Sequence, residues 1–216
     1  MIMLKDDLLL DSARPFSDEN QSGNQTGCPK SYFSGVPESY LCPDDYQWYV
    51  LRVSYSREMK IQELLRSRGI RTFIPMIWRR KEVDGKTVKI LVPAVNNLCF
   101  AFSDRNNLDE FIHGFGEASP VHFYWDKATR MPLVVPEKAM EDFIKVSSTM
   151  DEDLIYLTQI NPKLREGQAV RVRNGSFAGV EGRIVRIRKS RRILVEIPGM
   201  LAVATTYVRP EILELV

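Results

Sequence analysis

Residues 166–185 read EGQAVRVRNGSFAGVEGRIV. Val170 and Val172 alternate with Arg171 and Arg173, and a period of two predicts a β-strand with one apolar and one polar face. This stretch therefore places an all-β unit at the C-terminal end of the chain.

The residues that follow repeat the same pattern. Further short apolar strands, separated by turn residues, are predicted near 182–188, 193–197 and 201–205. Roughly four or five short strands in about 50 residues are too few for a sandwich, whereas a closed barrel removes the unpaired edges of so small a sheet. The C-terminal unit is therefore predicted to be a small closed barrel.

Glycine spacing adds a motif to this pattern. Gly175, Phe177, Gly179 and Gly182 stand at the spacing of a KOW motif, and residues 166–185 resemble that motif as it occurs in NusG proteins. A tight barrel needs glycine where the backbone passes close or takes a positive φ, and Phe177 is expected to plug the barrel end. The resemblance implies an SH3-like KOW barrel.

A different pattern precedes the barrel. A strand begins at Trp48, an amphipathic helix runs to about Arg68, a second strand covers 70–78, an Asp-Gly turn lies at 84–85 and another buried strand covers 98–102. Two more helices are predicted farther on, one near Leu108 and one after Pro136. This order predicts an α+β domain with an antiparallel or mixed sheet flanked by helices.

Composition divides the chain into four segments. Residues 1–44 are polar and interrupted by proline and are expected to be a disordered leader. An α+β domain at 45–147, a linker at 148–163, within which 154–157 could dock locally, and a KOW domain at 164–216 follow. Residues 1–45 carry three basic and eight acidic residues, a charge of −5, whereas 164–216 carry ten and five, a charge of +5. Such asymmetry indicates a charged partner.

The α+β domain strengthens the family resemblance. The Trp48 strand, the helix after it, the stretch 70–75 and the run 92–102 resemble the NusG N-terminal domain in order and spacing. Residues 73–76 and 197–208 are most similar to specialised UpxY-type paralogues. The resemblance implies a transcription elongation or antitermination factor acting on surface-polysaccharide operons, that is, in capsular polysaccharide regulation.

The resemblance also implies a polymerase-binding site. In this family an apolar depression grips the clamp helices of the RNA polymerase β′ subunit, and by position the grip falls on five residues: Trp48, Tyr49, Phe73, Leu98 and Phe100. An exposed apolar patch rimmed by charge is the expected form of such a site. The alternative is that these side chains are core, because strand aromatics are usually buried.

Two basic clusters are candidates for nucleic-acid binding. The helix bases Arg57, Lys60 and Arg68 correspond to positions where relatives approach non-template DNA, although an ordinary solvated helix face explains them as well. The second cluster is the densest in the chain and could meet nascent RNA, DNA or an acidic protein surface. It comprises Arg186, Arg188, Lys189, Arg191 and Arg192, together with Arg183.

Several function classes are not expected. The sequence carries no nucleophile elbow, phosphate-binding loop or dinucleotide fingerprint, so no enzyme activity and no cofactor are predicted. Three cysteines and two histidines at unsuitable spacing predict no metal site, and Cys99 is expected to be a small core residue. No apolar run approaches the ~20 residues of a membrane span. We expect a cytoplasmic monomer, and the rival interpretation is a KOW-containing RNA- or ribosome-binding protein.

Overall fold

The computed structural model describes residues 46–216 except 84, 160–163, 165–166 and 188. The predicted leader at 1–44 lies outside the described residues. The described residues form an N-terminal part and a C-terminal part, which belong to one compact unit.

An antiparallel sheet organises the N-terminal part. Its central strand β1 pairs with β5 on one side and with β6 and β7 on the other, and β2 extends the sheet beyond β5. The strands are β1 (Gln47–Val53), β2 (Arg71–Phe73), β5 (Leu98–Ser103), β6 (Val121–Phe123) and β7 (Val134–Val135).

Two helices cover the inner face of this sheet. They are α1 (Glu58–Ser67) and α2 (Arg105–His113). Tyr49 and Leu51 from β1 pack with Ile61 of α1 and with Leu108 and Phe111 of α2 in one buried cluster. Glu58, although buried, accepts a hydrogen bond from the Asn97 N–H at 2.6 Å, which satisfies its carboxylate.

A third helix, α3 (Glu137–Ser147), lies on the outer face. Pro136 precedes its first turn, and Met140, Phe143 and Val146 are fully buried. The predicted α+β domain is confirmed, and both faces of its sheet carry helices.

The second predicted strand, at 70–78, is divided in the structure. It ends as β2 at Phe73 and resumes as β3 (Met76–Val83), which pairs only with β4 (Lys86–Pro93) in a separate two-stranded sheet. Pro75 lies at the break, and a residue without a backbone N–H cannot continue the hydrogen-bond ladder. We refer to β3 and β4 together as the β3–β4 ribbon.

The C-terminal part is a six-stranded antiparallel sheet in the order β13-β9-β10-β11-β12-β8. The strands are β8 (Ile155–Leu157), β9 (Ala169–Val172), β10 (Glu181–Ile187), β11 (Ser190–Ile197), β12 (Leu201–Ala204) and β13 (Leu213–Leu215). Thus the stretch 148–163, expected to be a linker, supplies an edge strand of this sheet. Closure into a barrel stays a prediction, since the described end strands β13 and β8 are not paired with each other.

The motif glycines have distinct roles in this sheet. Gly175 and Gly179 adopt φ values of 89° and 83°, which side chains with a Cβ rarely adopt. Gly182 instead lies where β10 crosses close to β11, and a Cβ there would be 2.5 Å from the Leu194 carbonyl oxygen. Phe177 is half-buried.

We therefore expect Gly182→Ala to lower the free energy of unfolding by about 1–3 kcal/mol, because the new methyl group displaces a backbone carbonyl. Urea denaturation of the full chain measures this change. Gly114→Ala is the matched control, since Gly114 has helical backbone angles and a Cβ there meets its neighbours only at 3.4 Å. Equal stability of the two variants would contradict the close approach.

Candidate functional site

The five residues predicted to grip the polymerase do not share one face. Because side chains alternate along a strand, Trp48, Leu98 and Phe100 project to the outer face of the sheet. Phe73 is paired with Phe100 and lies with them. Tyr49 projects to the inner face, in the core beneath α1 and α2. The placement of Tyr49 in a common surface with the other four is therefore wrong.

The outer-face residues are covered. Trp48 is 9% exposed, Leu98 2% and Phe100 0%, while Phe73 is half-buried. Phe143 of α3 packs on two of them, with its ring centre 5.6 Å from that of Phe100 and 6.1 Å from that of Phe73, and the Trp48 ring packs on Phe102 at 5.3 Å. The structure thus presents these side chains as core, and the apolar depression is not open at these positions.

Helix α3 is attached to the C-terminal sheet by charged side chains. Asp142 is buried and accepts from Lys138 Nζ at 2.7 Å and from the Glu181 backbone N–H at 3.2 Å. Lys138 also donates to the Gly179 carbonyl, and Lys145 donates to the Ala178 carbonyl at 2.6 Å. The backbone of the predicted KOW-motif stretch is therefore hydrogen-bonded to side chains of α3.

The helix bases are exposed, as a nucleic-acid contact requires. Arg57 and Lys60 lie at the N-terminal end of α1, and Arg68 follows its C-terminal end. The Arg57 guanidinium is 5.4 Å from the ring centre of Tyr55, a side chain that is 81% exposed. Arg68 instead lies 4.9 Å above the Phe111 ring, so part of its role is packing.

The C-terminal basic cluster separates into surface and interior residues. Arg186 and Lys189 are exposed, and Arg191 is half-buried directly opposite Arg186. Arg192 is 8% exposed, and its Nη1 donates to the carbonyls of Asp153 and Thr205 at 2.6 and 2.7 Å.

Arg192 therefore joins β11 to the segment before β8, and its assignment to nucleic-acid binding is wrong because its guanidinium is not accessible. Arg188 lies outside the described residues.

Two exposed features escaped the sequence prediction. One is the β3–β4 ribbon, whose turn was predicted from the sequence but whose basic residues were not identified as a candidate site. The other is the hairpin at 124–134, whose register places Trp125 and Val134 on one face and Tyr124 and Met131 on the other. Trp125 and Val134 are 51% and 37% exposed, and we call these two residues the Trp125 patch. Arg105 borders it, 6.0 Å from the Trp125 ring centre. The aromatic run at 123–125 was a usable signal, but it did not show which rings face solvent.

No group of three or more His, Cys, Asp and Glu among the described residues could hold a metal ion. Burial raises the pKa of the Cys99 thiol to about 12, so this cysteine is uncharged and unreactive at neutral pH. In the same part of the chain, no helix combines the length and apolar character needed to span a bilayer.

Residues 46–144 match the family model NusG, described as transcription termination factor nusG. Among solved structures, the chain is similar to one described as "Domain interaction in Thermotoga maritima NusG", with 17% identity, a TM-score of 0.43 and coverage of 79% of this chain and 97% of that one. The comparison with curated proteins gives no match. The predicted NusG resemblance is thereby confirmed for residues 46–144, and the UpxY-type subdivision stays a prediction.

The attachment of α3 can be tested at Asp142. We expect Asp142→Asn to lower the free energy of unfolding by about 1–3 kcal/mol, since it weakens a buried charge-assisted pair and leaves the Glu181 N–H with a poorer acceptor. Hydrogen–deuterium exchange should accelerate at the Glu181 amide. Glu137→Gln, an exposed change on the same helix, is the control, and unchanged exchange at Glu181 in the Asp142 variant would show that the contact contributes nothing.

Proposed function

We propose that this protein is a transcription elongation and antitermination factor that binds RNA polymerase. The premise is the NusG-family domain at residues 46–144. The single observation that supports this proposal most directly is the family match itself, which falls on the residues that form the helix-flanked sheet. The proposed partner is the pair of clamp helices of the polymerase β′ subunit, and the proposed action is to suppress pausing and termination.

The finer proposal is a specialised factor of the UpxY type that acts on surface-polysaccharide operons. It rests on the similarity of residues 73–76 and 197–208 to those paralogues. The C-terminal sheet is proposed to be a KOW barrel, supported by the positive φ values at Gly175 and Gly179 and the close approach at Gly182.

The burial of the outer-face aromatics changes where the polymerase contact is sought. A partner could reach Phe100 only after α3 had moved away, which would expose Phe143 and the apolar face under it. The Trp125 patch needs no rearrangement, because Trp125 and Val134 are already at the surface, Arg105 lies beside Trp125, and Lys127 and Arg130 are exposed in the adjoining turn segment. We therefore place the proposed contact at the Trp125 patch.

The rival function is an RNA- or ribosome-binding protein. The observation that favours it is the exposed pair Arg186 and Lys189 on the C-terminal sheet. It does not account for the family match at residues 46–144. A comparison of binding to isolated clamp helices with binding to structured RNA separates the two functions.

The contact can be measured by titrating the full chain against an isolated fragment carrying the β′ clamp helices. We expect the double variant Trp125→Ser, Val134→Ser to weaken binding roughly 30-fold or more, because both side chains lie on the face that a partner would bury. Tyr207→Ser is the matched control, since Tyr207 is an aromatic that is 60% exposed on the C-terminal part. If the double variant bound as wild type while Phe143→Ala, which uncovers the outer face, bound more tightly, the contact would lie beneath α3 instead.

The proposed activity can be tested in transcription with purified polymerase. On a template carrying a candidate leader followed by a terminator, we expect added protein to increase the full-length transcript, because a clamp-bound factor disfavours the paused state. The double variant at Trp125 and Val134 should lose this effect. Identical readthrough with and without the wild-type chain on every candidate leader would count against antitermination.

A further inference from the structure

The β3–β4 ribbon stands apart from both sheets. Its strands pair with each other over eight residue pairs, from Met76–Pro93 to Val83–Lys86, and with no other strand. From Trp78 onward along β3, every described side chain is exposed. An isolated two-stranded ribbon has little core of its own, so its surface residues are available to a partner.

The ribbon is basic. It carries five basic residues, Arg79, Arg80, Lys81, Lys86 and Lys89, against one described acidic residue, Glu82, which lies on the same face as Arg80. Of these five, only Lys89 forms an ion pair with a described residue, Glu152. Like charges on a narrow ribbon repel one another, and the other four cations have no counter-charge in direct contact among the described residues. Such a surface favours a polyanion.

One face of the ribbon combines these cations with apolar side chains. Residues paired across the ladder project to the same side, so Trp78 with Leu91 and Arg80 with Lys89 form two adjacent rows about 7 Å apart along the strand. Trp78 is 41% exposed and Leu91 38%. We call these four residues the Trp78 face.

A carboxylate already lies at the cations of this face. Glu152 Oε1 accepts from Lys89 Nζ at 2.5 Å. The hydrogen bond and charge of Lys89 lower the pKa of Glu152 below its usual range, and Arg80 adds to that effect. Thus the carboxylate of Glu152, from the segment before β8, already lies against the cationic row of the Trp78 face.

We propose that the Trp78 face binds a single-stranded nucleic acid, with a base stacked on Trp78 and the phosphate next to it at Arg80 and Lys89 in place of the Glu152 carboxylate. Aromatic rings flanked by cations are the recurring means of binding single strands without sequence readout. The proposal names a nucleic-acid surface separate from α1 and from the C-terminal basic cluster, and it does not depend on polymerase binding.

A duplex fits this face less well. A two-stranded ribbon can enter a major groove, but the bases of a duplex are already stacked and offer no ring face to Trp78. The apolar row of Trp78 and Leu91 would then meet phosphates or groove water. Unpaired bases cover that row and leave the cations for the backbone.

The test measures binding of the full chain to fluorescently labelled 20-nucleotide oligo-dT, oligo-U and a 20-base-pair duplex by anisotropy, at several salt concentrations. We expect both single strands to bind more tightly than the duplex. Trp78→Ala should weaken single-strand binding roughly 5- to 150-fold, and Trp78→Phe, which keeps a stacking ring, should retain most of it. A preference between oligo-dT and oligo-U would identify DNA or RNA as the strand bound.

Charge variants test the face itself. Arg80→Gln should reduce the slope of log K against log salt by about 0.7, whereas Lys81→Gln, which removes the same charge from the opposite face, should leave the slope near wild type. Glu152→Gln should tighten binding by more than Glu110→Gln, an equal charge change on α2, because only the former frees Lys89 and removes a negative charge near Arg80.

Tighter binding of the duplex, equal effects of Arg80→Gln and Lys81→Gln, or wild-type affinity in Trp78→Ala would overturn the proposal. Since no polymerase is present, these outcomes are independent of binding to the clamp helices. Circular dichroism and urea denaturation of Trp78→Ala, compared with the wild-type chain, verify that this variant is folded.

Discussion

The structure depends on the need to cover both faces of β5. All six residues of this strand are buried, so the sheet must carry a packed layer on each side. Helices α1 and α2 supply one layer, and Phe143 of α3 fills the other by packing on Phe100 and Phe73. If the second layer were absent, a large apolar surface would meet water, at a cost of about 25 cal/mol for each Å² exposed.

This constraint decides where interaction surfaces remain. Both faces of the N-terminal sheet are occupied, so its exposed apolar side chains lie at the margins. They include those of the Trp125 patch and of the β3–β4 ribbon. Pro75 has an indirect part in this arrangement, because the break it causes directs the chain away from the sheet and into the ribbon. Pro75, which lies within the strand predicted at 70–78, thus separates the exposed β3–β4 ribbon from the sheet.

Burial also separates the charged side chains into two groups, those that are buried and hydrogen-bonded and those that are exposed. Asp142 and Arg192 are both buried, yet each is hydrogen-bonded to a distant segment, Asp142 to the Glu181 N–H and Arg192 Nη1 to the Asp153 carbonyl, while Arg192 Nε has no partner among the described residues. Buried charges are tolerated when they are hydrogen-bonded in this way. Cations without such partners, such as Arg80 and Lys81, remain at the surface, where their charge is available to a partner.

The sequence by itself determined the principal helices and strands, the α+β character of the first domain, the glycine positions of the C-terminal sheet and, through strand alternation, the opposite orientation of Trp48 and Tyr49. These follow from periodicity and turn chemistry, which act over a few residues. Only the tertiary structure decided that Trp48 and Phe100 are covered, that 155–157 forms an edge strand and that Arg192 is internal. The reason is physical, since burial depends on segments far apart in the chain, such as Phe143 on Phe100, and no local pattern encodes which of two apolar faces receives the helix.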